Sequence, residues 1–322
     1  QTADTMEAAV LAERAGHPTW GGRKLQRRLV NLGRYSVPAP STITAILRRH
    51  GQLDAAANAT HRPWQRFEAP FPNALWQMDF KGHFALGNHS RCHPLTVLDD
   101  CSRFNVGLVA CSDERGETVR DCLTPIFRCY GLPDRMLMDN GGPWGEGREY
   151  TKLAVWLLRL DIAVSHGRPY HPQTQGKDER FHRTLQAELL GSRLFADHDH
   201  CQAAFDPWRD SYNFDRPHEA LGLATPASRY TMSRRPFPER LPAIEYGPGD
   251  QVRKVQGNGE LYFQGRVLTV GRAFIGEPVA LRPTVVDGRW EVFYCRQHLG
   301  GIDLTVVPKN TKQRVNHVSE HV

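Results

Sequence analysis

The chain has 322 residues, 40% of them hydrophobic, which is enough for two or three domains and a sizeable core. No apolar run approaches the length of a membrane span and no signal-like start is present, so we expect neither a membrane anchor nor a secretory leader. The seven cysteines form no CxxC pair, which favours reduced thiols over a disulfide framework or a zinc cluster. Because the first residue is Gln1 rather than Met, we expect further residues to precede it.

The net charge of +6 is unevenly distributed along the chain. Residues 1–65 hold 9 Lys/Arg against 4 Asp/Glu, a net of +5, and residues 231–322 hold 13 against 9, a net of +4. Residues 66–230 hold 19 against 22, a net of −3. Basic flanks around a slightly acidic centre suit a polyanion such as nucleic acid, and ordinary solvated charge explains them about equally well.

The first flank, residues 1–65, is predicted to be a helix-turn-helix domain that binds DNA. Its second helix should bury Leu25, Leu29 and Leu32, and its third should begin with Ser41 as N-cap. The third helix would enter a major groove, and a small helical packing module is the alternative. The predicted DNA contacts on these two helices are Arg23, Lys24, Arg27, Arg28, Ser41, Thr42, Thr44, Arg48 and Arg49.

The centre, residues 66–225, alternates between strand and helix patterns. The predicted order is a strand, two hairpin strands, a helix, a strand, a helix, a strand and a helix. This order indicates a mixed sheet with helices on its faces. The strands are expected within 73–86, 92–112, 135–144 and 162–166, and the third of these segments should stop at Asp139 before a glycine turn at DNGG. The helices are expected within 117–131, 148–161 and after the PQTQG loop, and residues 52–70 resemble a linker. The inward face of the 117–131 helix should carry Val119, Leu123, Ile126 and Phe127.

Three acids fall where strands end or a helix starts. Asp79 lies in the first strand, Asp139 follows a later strand, and Glu179 lies in the first turns of the helix after PQTQG. Three carboxylates brought together would repel, and divalent ions such as Mg²⁺ would offset that repulsion. A pair of such ions supports in-line phosphoryl transfer. Taken singly, each acid is also explained as a turn former or a helix-dipole partner, and the DDCSR turn explains Asp99 and Asp100 without catalysis.

Four segments in this order, WQMDF, VLDDCSR, MDNGG and HPQTQGKDERFHRTL, resemble the integrase-like core of Asp-Asp-Glu (DDE) transposases. That core has the ribonuclease H fold of retroviral integrases, and the chain is similar to bacterial insertion-sequence transposases of the four-eighty-one family. The resemblance implies that Asp79, Asp139 and Glu179 are catalytic and bind two Mg²⁺ or Mn²⁺ ions. One departure is the spacing of 39 residues, 140–178, between the second and third acids, and the glycine-rich GGPWGEGREY segment can hold the excess.

The helix that carries Glu179 is predicted to be amphipathic. Phe181 and Leu185 should face the core, while Glu179, Arg183 and Gln186 share the opposite face along the DNA end. The remaining charged residues would neutralise phosphates or face solvent. The predicted DNA contacts on this helix are Lys177, Arg180, Arg183 and Gln186, with His182 beside them.

The last flank is predicted to contain three segments. Residues 226–248 are proline-rich and basic, as in an extended linker. Short strands separated by glycine turns predict a small β-barrel over residues 249–308, and residues 309–322 resemble a polar tail.

The resemblance implies a transposase that binds terminal inverted repeats as double-stranded DNA, cleaves their 3′ ends and joins them to target DNA. It further implies a homo-oligomer, at least a dimer on paired ends, in the bacterial cytoplasm near the nucleoid. No Walker A pattern is present, so we expect no nucleotide cofactor. The alternatives are a ribonuclease-H-like nuclease that only hydrolyses and a DNA-binding repressor with an inactive core.

Overall fold

The computed structural model describes residues 3–53, 68–139, 141–145, 150–167, 176–306 and 312–317. The chain divides into a first unit, residues 1–72, 81–112 and 175–231, and a second unit, residues 73–80, 113–174 and 232–322. Helices occur together with both parallel and antiparallel strands, so the predicted mixed α/β class is confirmed. The predicted DNGG turn, the PQTQG loop and the 52–70 linker fall partly or wholly outside the described residues.

The helices and strands of the first unit come from three separate stretches of the chain. They are α1 Asp4–Gly16, α2 Gly22–Asn31, α3 Pro40–Arg49, β2 Phe84–Ala85, β3 Arg91–Asp99, β4 Asn105–Cys111, α6 Gly176–Glu188 and α7 His198–Asp210. Those of the second unit are β1 Trp76–Phe80, α4 Gly116–Tyr130, β5 Arg135–Met138, α5 Lys152–Arg159, β6 Ala163–His166, β7 Gln251–Lys254, β8 Glu260–Phe263, β9 Arg266–Thr269, β10 Pro278–Pro283, β11 Arg289–Tyr294, β12 Gln297–Asp303, β13 Lys312–Arg314 and β14 Asn316–His317.

The first three helices enclose a small apolar core of their own. Its buried members include Val10, Trp20, Leu25, Leu29, Ile43, Ile46 and Leu47. Gly22 lets α2 approach α3 closely, because a Cβ there would collide with the carbonyl oxygen of Pro40. The helices are confirmed, whereas their use as a DNA-reading helix-turn-helix stays a prediction.

Two details of the predicted helices are wrong. α3 begins at Pro40 with Ala39 as its N-cap, so Ser41 lies inside the first turn rather than capping it. Proline suits the first helical position because its φ is already helical and it has no N–H to leave unpaired. Leu32 follows the end of α2 and is 45% exposed, because the helix stops before that residue can turn inward.

A hairpin and two helices form the rest of the first unit. β3 and β4 pair antiparallel, with Leu95 opposite Val109, and α6 and α7 pack against them. Phe181 and Leu185 of α6 are buried in this core, as their spacing predicts. α7, which had no predicted counterpart, contributes Phe205 to the same core.

The second unit places three parallel strands beside two helices. β1 pairs with β5 and β5 pairs with β6, all in parallel. The inner face of α4 is buried as predicted, through Val119, Leu123, Ile126 and Phe127. The Phe127 ring lies 6.0 Å from the Trp76 ring of β1 and 5.7 Å from the Trp156 ring of α5.

The predicted linker is held against the second unit in its 233–239 part. The Arg235 guanidinium donates to the carbonyl oxygens of Pro133 at 2.7 Å, Leu160 at 3.1 Å and Asp161 at 2.6 Å. The Arg235 carbonyl accepts from the Leu132 N–H at 2.7 Å. Gly131, with φ of +78°, allows this close approach, since a Cβ there would lie 2.8 Å from the Arg235 oxygen. We call residues 233–239 the strap.

The C-terminal strands form two sheets. One has the order β14-β12-β11-β10-β7 and the other the order β13-β9-β8. No closed barrel occurs among the described residues, so the predicted small β-barrel is not confirmed. The predicted polar tail is wrong for residues 312–317, because β13 pairs with β9 and β14 pairs with β12.

Across the described ranges, every helix is too short or too polar to cross a membrane.

We predict that Arg235→Ala destabilises the protein by about 2 kcal/mol, because it removes three charge-assisted hydrogen bonds to backbone carbonyls. Urea denaturation followed by tryptophan fluorescence measures the change. The control is Arg234→Ala, since that neighbouring side chain is exposed. Equal midpoints for the two variants would show that the strap adds no stability.

Candidate active site

The parallel register of β1 and β5 brings Asp79 and Asp139 side by side. Trp76 is opposite Met136 and Gln77 is opposite Leu137, and the same offset places Asp79 level with Asp139. Neighbouring strands lie about 5 Å apart, so side chains on adjacent strands at the same level can interact. Both acids lie at the carboxyl ends of their strands, where open α/β sheets commonly bind ligands.

The Asp79 carboxylate is half-buried, and its pKa lies above the usual value for an aspartate. Burial, together with the negative charges of Asp139 and Glu114, raises its pKa from 3.8 to about 7. The Phe80 N–H donates to Asp79 Oδ1 at 2.8 Å and partly opposes this rise. Sequence reasoning missed Glu114, because it lies just before α4 and no pattern connects it to β1.

Aromatic and imidazole groups border the two aspartates. The Phe80 ring, next to Asp79, stacks on the buried Trp144 ring at 5.6 Å. His166, at the end of β6, has its Nδ1 3.1 Å from the carbonyl oxygen of Asp139. These contacts fix the backbone that presents both carboxylates.

Glu179 lies on the exposed face of α6, in the first unit. Arg180, Arg183 and Gln186 are also exposed, whereas Phe181 and Leu185 on the other face are buried. The predicted division of α6 into a core face and a polar face is therefore confirmed. The union of Glu179 with the aspartate pair stays a prediction, and within the described ranges no three His, Cys, Asp or Glu side chains are grouped as a metal site.

Lys177 and His182 of α6 are half-buried and have partners within the first unit. The Lys177 ammonium donates to the buried Asp100 carboxylate at 2.5 Å, and burial lowers the pKa of Lys177. His182 Nε2 lies 2.8 Å from the Thr96 hydroxyl. β3 and the β3–β4 turn supply these partners, which no sequence pattern reveals, and the contact of Lys177 with DNA stays a prediction.

Two arginines of α2 lie near acids of α1 and of the segment after α7. Arg28 donates to Asp215 at 2.6 Å and lies 3.5 Å from Glu13, while Arg23 lies 3.8 Å from Glu219. Burial, together with the positive charge of the nearby Arg216, lowers the pKa of Lys24 to about 8. Lys24 and Arg28 therefore have protein surroundings in the first unit, whereas Arg23 and Arg27 are exposed.

The predicted contacts on α3 divide differently. Ser41, Thr42 and Arg48 are exposed. The Thr44 hydroxyl donates to the Pro40 carbonyl at 2.7 Å, and Arg49 forms an ion pair with Glu7 of α1. The exposed side chains lie at both ends of α3, which is the more accessible of the two helices.

Family models match most of the described chain. Integrase core domain models match residues 69–172 and 160–226, and the model of the IS481 family transposase, C-terminal domain, matches residues 250–310. The chain therefore matches an integrase core domain followed by the C-terminal domain of IS481 family transposases. The match over residues 69–172 includes Asp79 and Asp139, and the match over residues 160–226 includes Glu179.

The chain is similar to two insertion-element proteins and to a retroviral integrase core. The chain is 29% identical over 158 residues to an IS407 protein of Burkholderia multivorans, covering 48% of this chain and 54% of the relative. It is 30% identical over 158 residues to an IS476 protein of Xanthomonas euvesicatoria, covering 48% and 44%. The chain thus spans about half the length of the relatives it matches. The magnesium-containing HTLV-2 integrase catalytic core in a trimeric form aligns with 15% identity and a TM-score of 0.39, over 51% of this chain and 100% of that one.

We predict that His182 lowers the stability of the protein as the pH falls. Burial, with the charge of Lys81, lowers its pKa from 6.5 to about 4, so the folded state favours neutral imidazole. Between these two pKa values, protons bind the unfolded state preferentially. The stability that comes from neutral His182 is therefore fully present above pH 6.5. It is lost between pH 6.5 and 4, at up to about 1.4 kcal/mol per pH unit.

Urea denaturation at pH 7, 6 and 5 measures this effect against His182→Gln, which should show a flatter pH profile. His83→Gln serves as the control because His83 is exposed. Parallel profiles for wild type and His182→Gln would contradict the prediction.

Proposed function

We propose that this protein is a DDE transposase that binds transposon-end DNA, cleaves at the 3′ ends and joins those ends to target DNA. The pair formed by Asp79 and Asp139 carries the proposal, because two neighbouring strand ends present carboxylates at the same level. Like charges at this spacing are disfavoured unless a proton or a cation offsets them. Phosphoryl transfer enzymes use such carboxylates to hold the cations that the reaction needs.

The donor groups suit the metal that the family implies. Asp79, Asp139 and Glu179 would hold two Mg²⁺ or Mn²⁺ ions, since carboxylate oxygens are the ligands these ions prefer. When bound, the ions supply positive charge that stabilises the phosphate oxygens during the exchange of bonds. The negative charges of Asp139 and Glu114 near Asp79 favour a cation there.

The protein's own residues would orient the DNA end. Arg183 and Gln186 share the solvent face of α6 with Glu179, so they lie where a DNA backbone would pass that acid. Water would attack the phosphodiester next to the element's 3′ end. The freed 3′ hydroxyl would then attack target DNA, and neither step needs a covalent protein–DNA link.

Terminal-repeat recognition would fall to residues 1–65, chiefly through α3. Its exposed Ser41, Thr42 and Arg48 suit contacts to bases and phosphates. Binding should weaken steeply with salt because basic side chains displace counterions from DNA. We further propose a homo-oligomer, at least a dimer, on paired ends, because two 3′ ends need two active sites. The proposed location is the bacterial cytoplasm near the nucleoid.

The two alternatives differ in what they leave unexplained. A nuclease that only hydrolyses has no need of basic flanks of net +5 and +4, which suit the holding of several DNA segments. A repressor with an inactive core has no need of a carboxylate pair whose mutual repulsion costs stability. Strand transfer and metal-dependent nicking separate the three functions directly.

We predict that Asp79→Asn, Asp139→Asn or Glu179→Gln each lowers cleavage and strand transfer by roughly a thousandfold or more, about 4 kcal/mol of activation free energy. The reason is that each removes one anionic ligand while keeping the side chain's shape. The assays are Mg²⁺-dependent nicking and joining of oligonucleotides that carry the element ends, with end binding measured in parallel.

The control for these substitutions is Asp121→Asn, which changes an exposed acid on α4. Near-normal turnover by the Glu179→Gln enzyme would remove Glu179 from the proposed site. Hydrolysis without joining by wild type would favour the nuclease.

We predict that Arg48→Ala reduces the preference for end DNA over random DNA by about 1–3 kcal/mol, because Arg48 is an exposed base-reading candidate on α3. Competition fluorescence anisotropy measures the preference. Arg34→Ala is the matched control, since Arg34 is an exposed arginine of the same three-helix module outside α3. An equal effect of both substitutions would mean that α3 supplies charge without sequence discrimination.

A further inference from the structure

A buried ion pair fixes the start of α6 in the first unit. Asp100 lies in the turn after β3 and has 0% of its surface exposed. Lys177 Nζ donates to Asp100 Oδ1 at 2.5 Å and lies 3.3 Å from the Asp100 carbonyl oxygen. The Ala69 N–H donates to Asp100 Oδ2 at 2.6 Å, so both carboxylate oxygens have partners.

The neighbouring Asp99 shows that the ion pair is not part of the turn itself. Asp99 Oδ2 accepts from the Ser102 N–H at 2.8 Å and from the Ser102 hydroxyl at 2.5 Å. Those contacts close the turn between β3 and β4. Asp100 is therefore available for a different task, and its partner is the lysine two residues before Glu179.

A second polar contact holds α6 one turn further on. His182 Nε2 lies 2.8 Å from the Thr96 hydroxyl on β3. Phe181 and Leu185 of the same helix are buried in the core of the first unit. Apolar packing alone tolerates a small rotation or slide of a helix, whereas two polar contacts at separate turns permit one orientation. Glu179 lies between Lys177 and His182 in sequence and faces solvent.

We propose that Lys177 and Asp100 are positioning residues that set the orientation of Glu179. This inference rests on the proposed function, in which Glu179 is a metal ligand. The pair fixes the first turn of α6 against the β3–β4 turn. The opposite charges of Lys177 and Asp100 neutralise each other. Lys177 is thereby assigned to the protein interior instead of to DNA.

The experiment compares Lys177→Met with Lys177→Met/Asp100→Asn and with the charge exchange Lys177→Asp/Asp100→Lys. Lys152→Met is the matched control, because Lys152 is an exposed lysine at the first position of α5. Mn²⁺ binding is measured by electron paramagnetic resonance of the free ion, and cleavage of end DNA by single-turnover kinetics. Thermal melting and end-DNA binding report on folding.

We expect Lys177→Met to weaken Mn²⁺ binding and to lower the cleavage rate at least tenfold. The DNA concentration that gives half of the maximal cleavage rate should change less than twofold. The double neutral variant should fold, since it leaves no buried charge unpaired, and should show the same two losses. Partial recovery by the charge exchange would support the pair as the cause. Lys152→Met should match wild type.

Wild-type Mn²⁺ affinity in a folded Lys177→Met or double neutral variant would overturn the inference. Loss of folding in Lys177→Met alone leaves the decision with the double variant. Failure of the proposed function gives a different result. The wild-type protein would then not cleave end DNA, and the Glu179→Gln variant would bind Mn²⁺ as tightly as wild type. If Glu179→Gln binds Mn²⁺ like wild type, Glu179 has no ligand role for the pair to position and the inference is rejected with it.

Discussion

Parallel pairing of β1 with β5 is the constraint on which the candidate chemistry depends. The offset that places Trp76 opposite Met136 also places Asp79 level with Asp139, at the end of both strands. A slip of one residue would send one carboxylate to the other face of the sheet. Burial of Trp76, Met78 and Met136 prevents such a slip, since it would expose large apolar side chains. The core thus fixes the geometry of two charges that by themselves repel.

Periodicity in the sequence predicted those features that depend on which side of an element is buried. Phe181 and Leu185 of α6 and the inner face of α4 are where their spacing placed them. The family resemblance added the assignment of the acids, which no periodicity supplies. Glu179 keeps that assignment as a prediction, because its exposed position on α6 is all that the described structure adds.

The sequence failed where a side chain's role depends on a distant partner. Asp99 and Asp100 are adjacent and chemically identical, yet one closes a turn and the other binds Lys177, 77 residues away. Arg28 resembles a DNA contact until Asp215 is seen beside it. Residues 312–317 are polar enough for a tail, and they form strands because β9 and β12 offer unpaired edges. Such pairings are properties of the tertiary fold and leave no local pattern.

In the second unit, the strap contacts one end of the parallel strands, and the candidate acids lie at the other end. Arg235 binds carbonyl groups of Pro133, Leu160 and Asp161, just before β5 and β6 begin, whereas Asp79 and Asp139 lie where β1 and β5 end. One rim of the parallel strands is thereby reinforced by the chain itself, and the opposite rim carries the acids. Thermal tolerance and chemistry can therefore change independently during evolution. Substitutions along the strap can change stability without altering the two aspartates at the opposite rim.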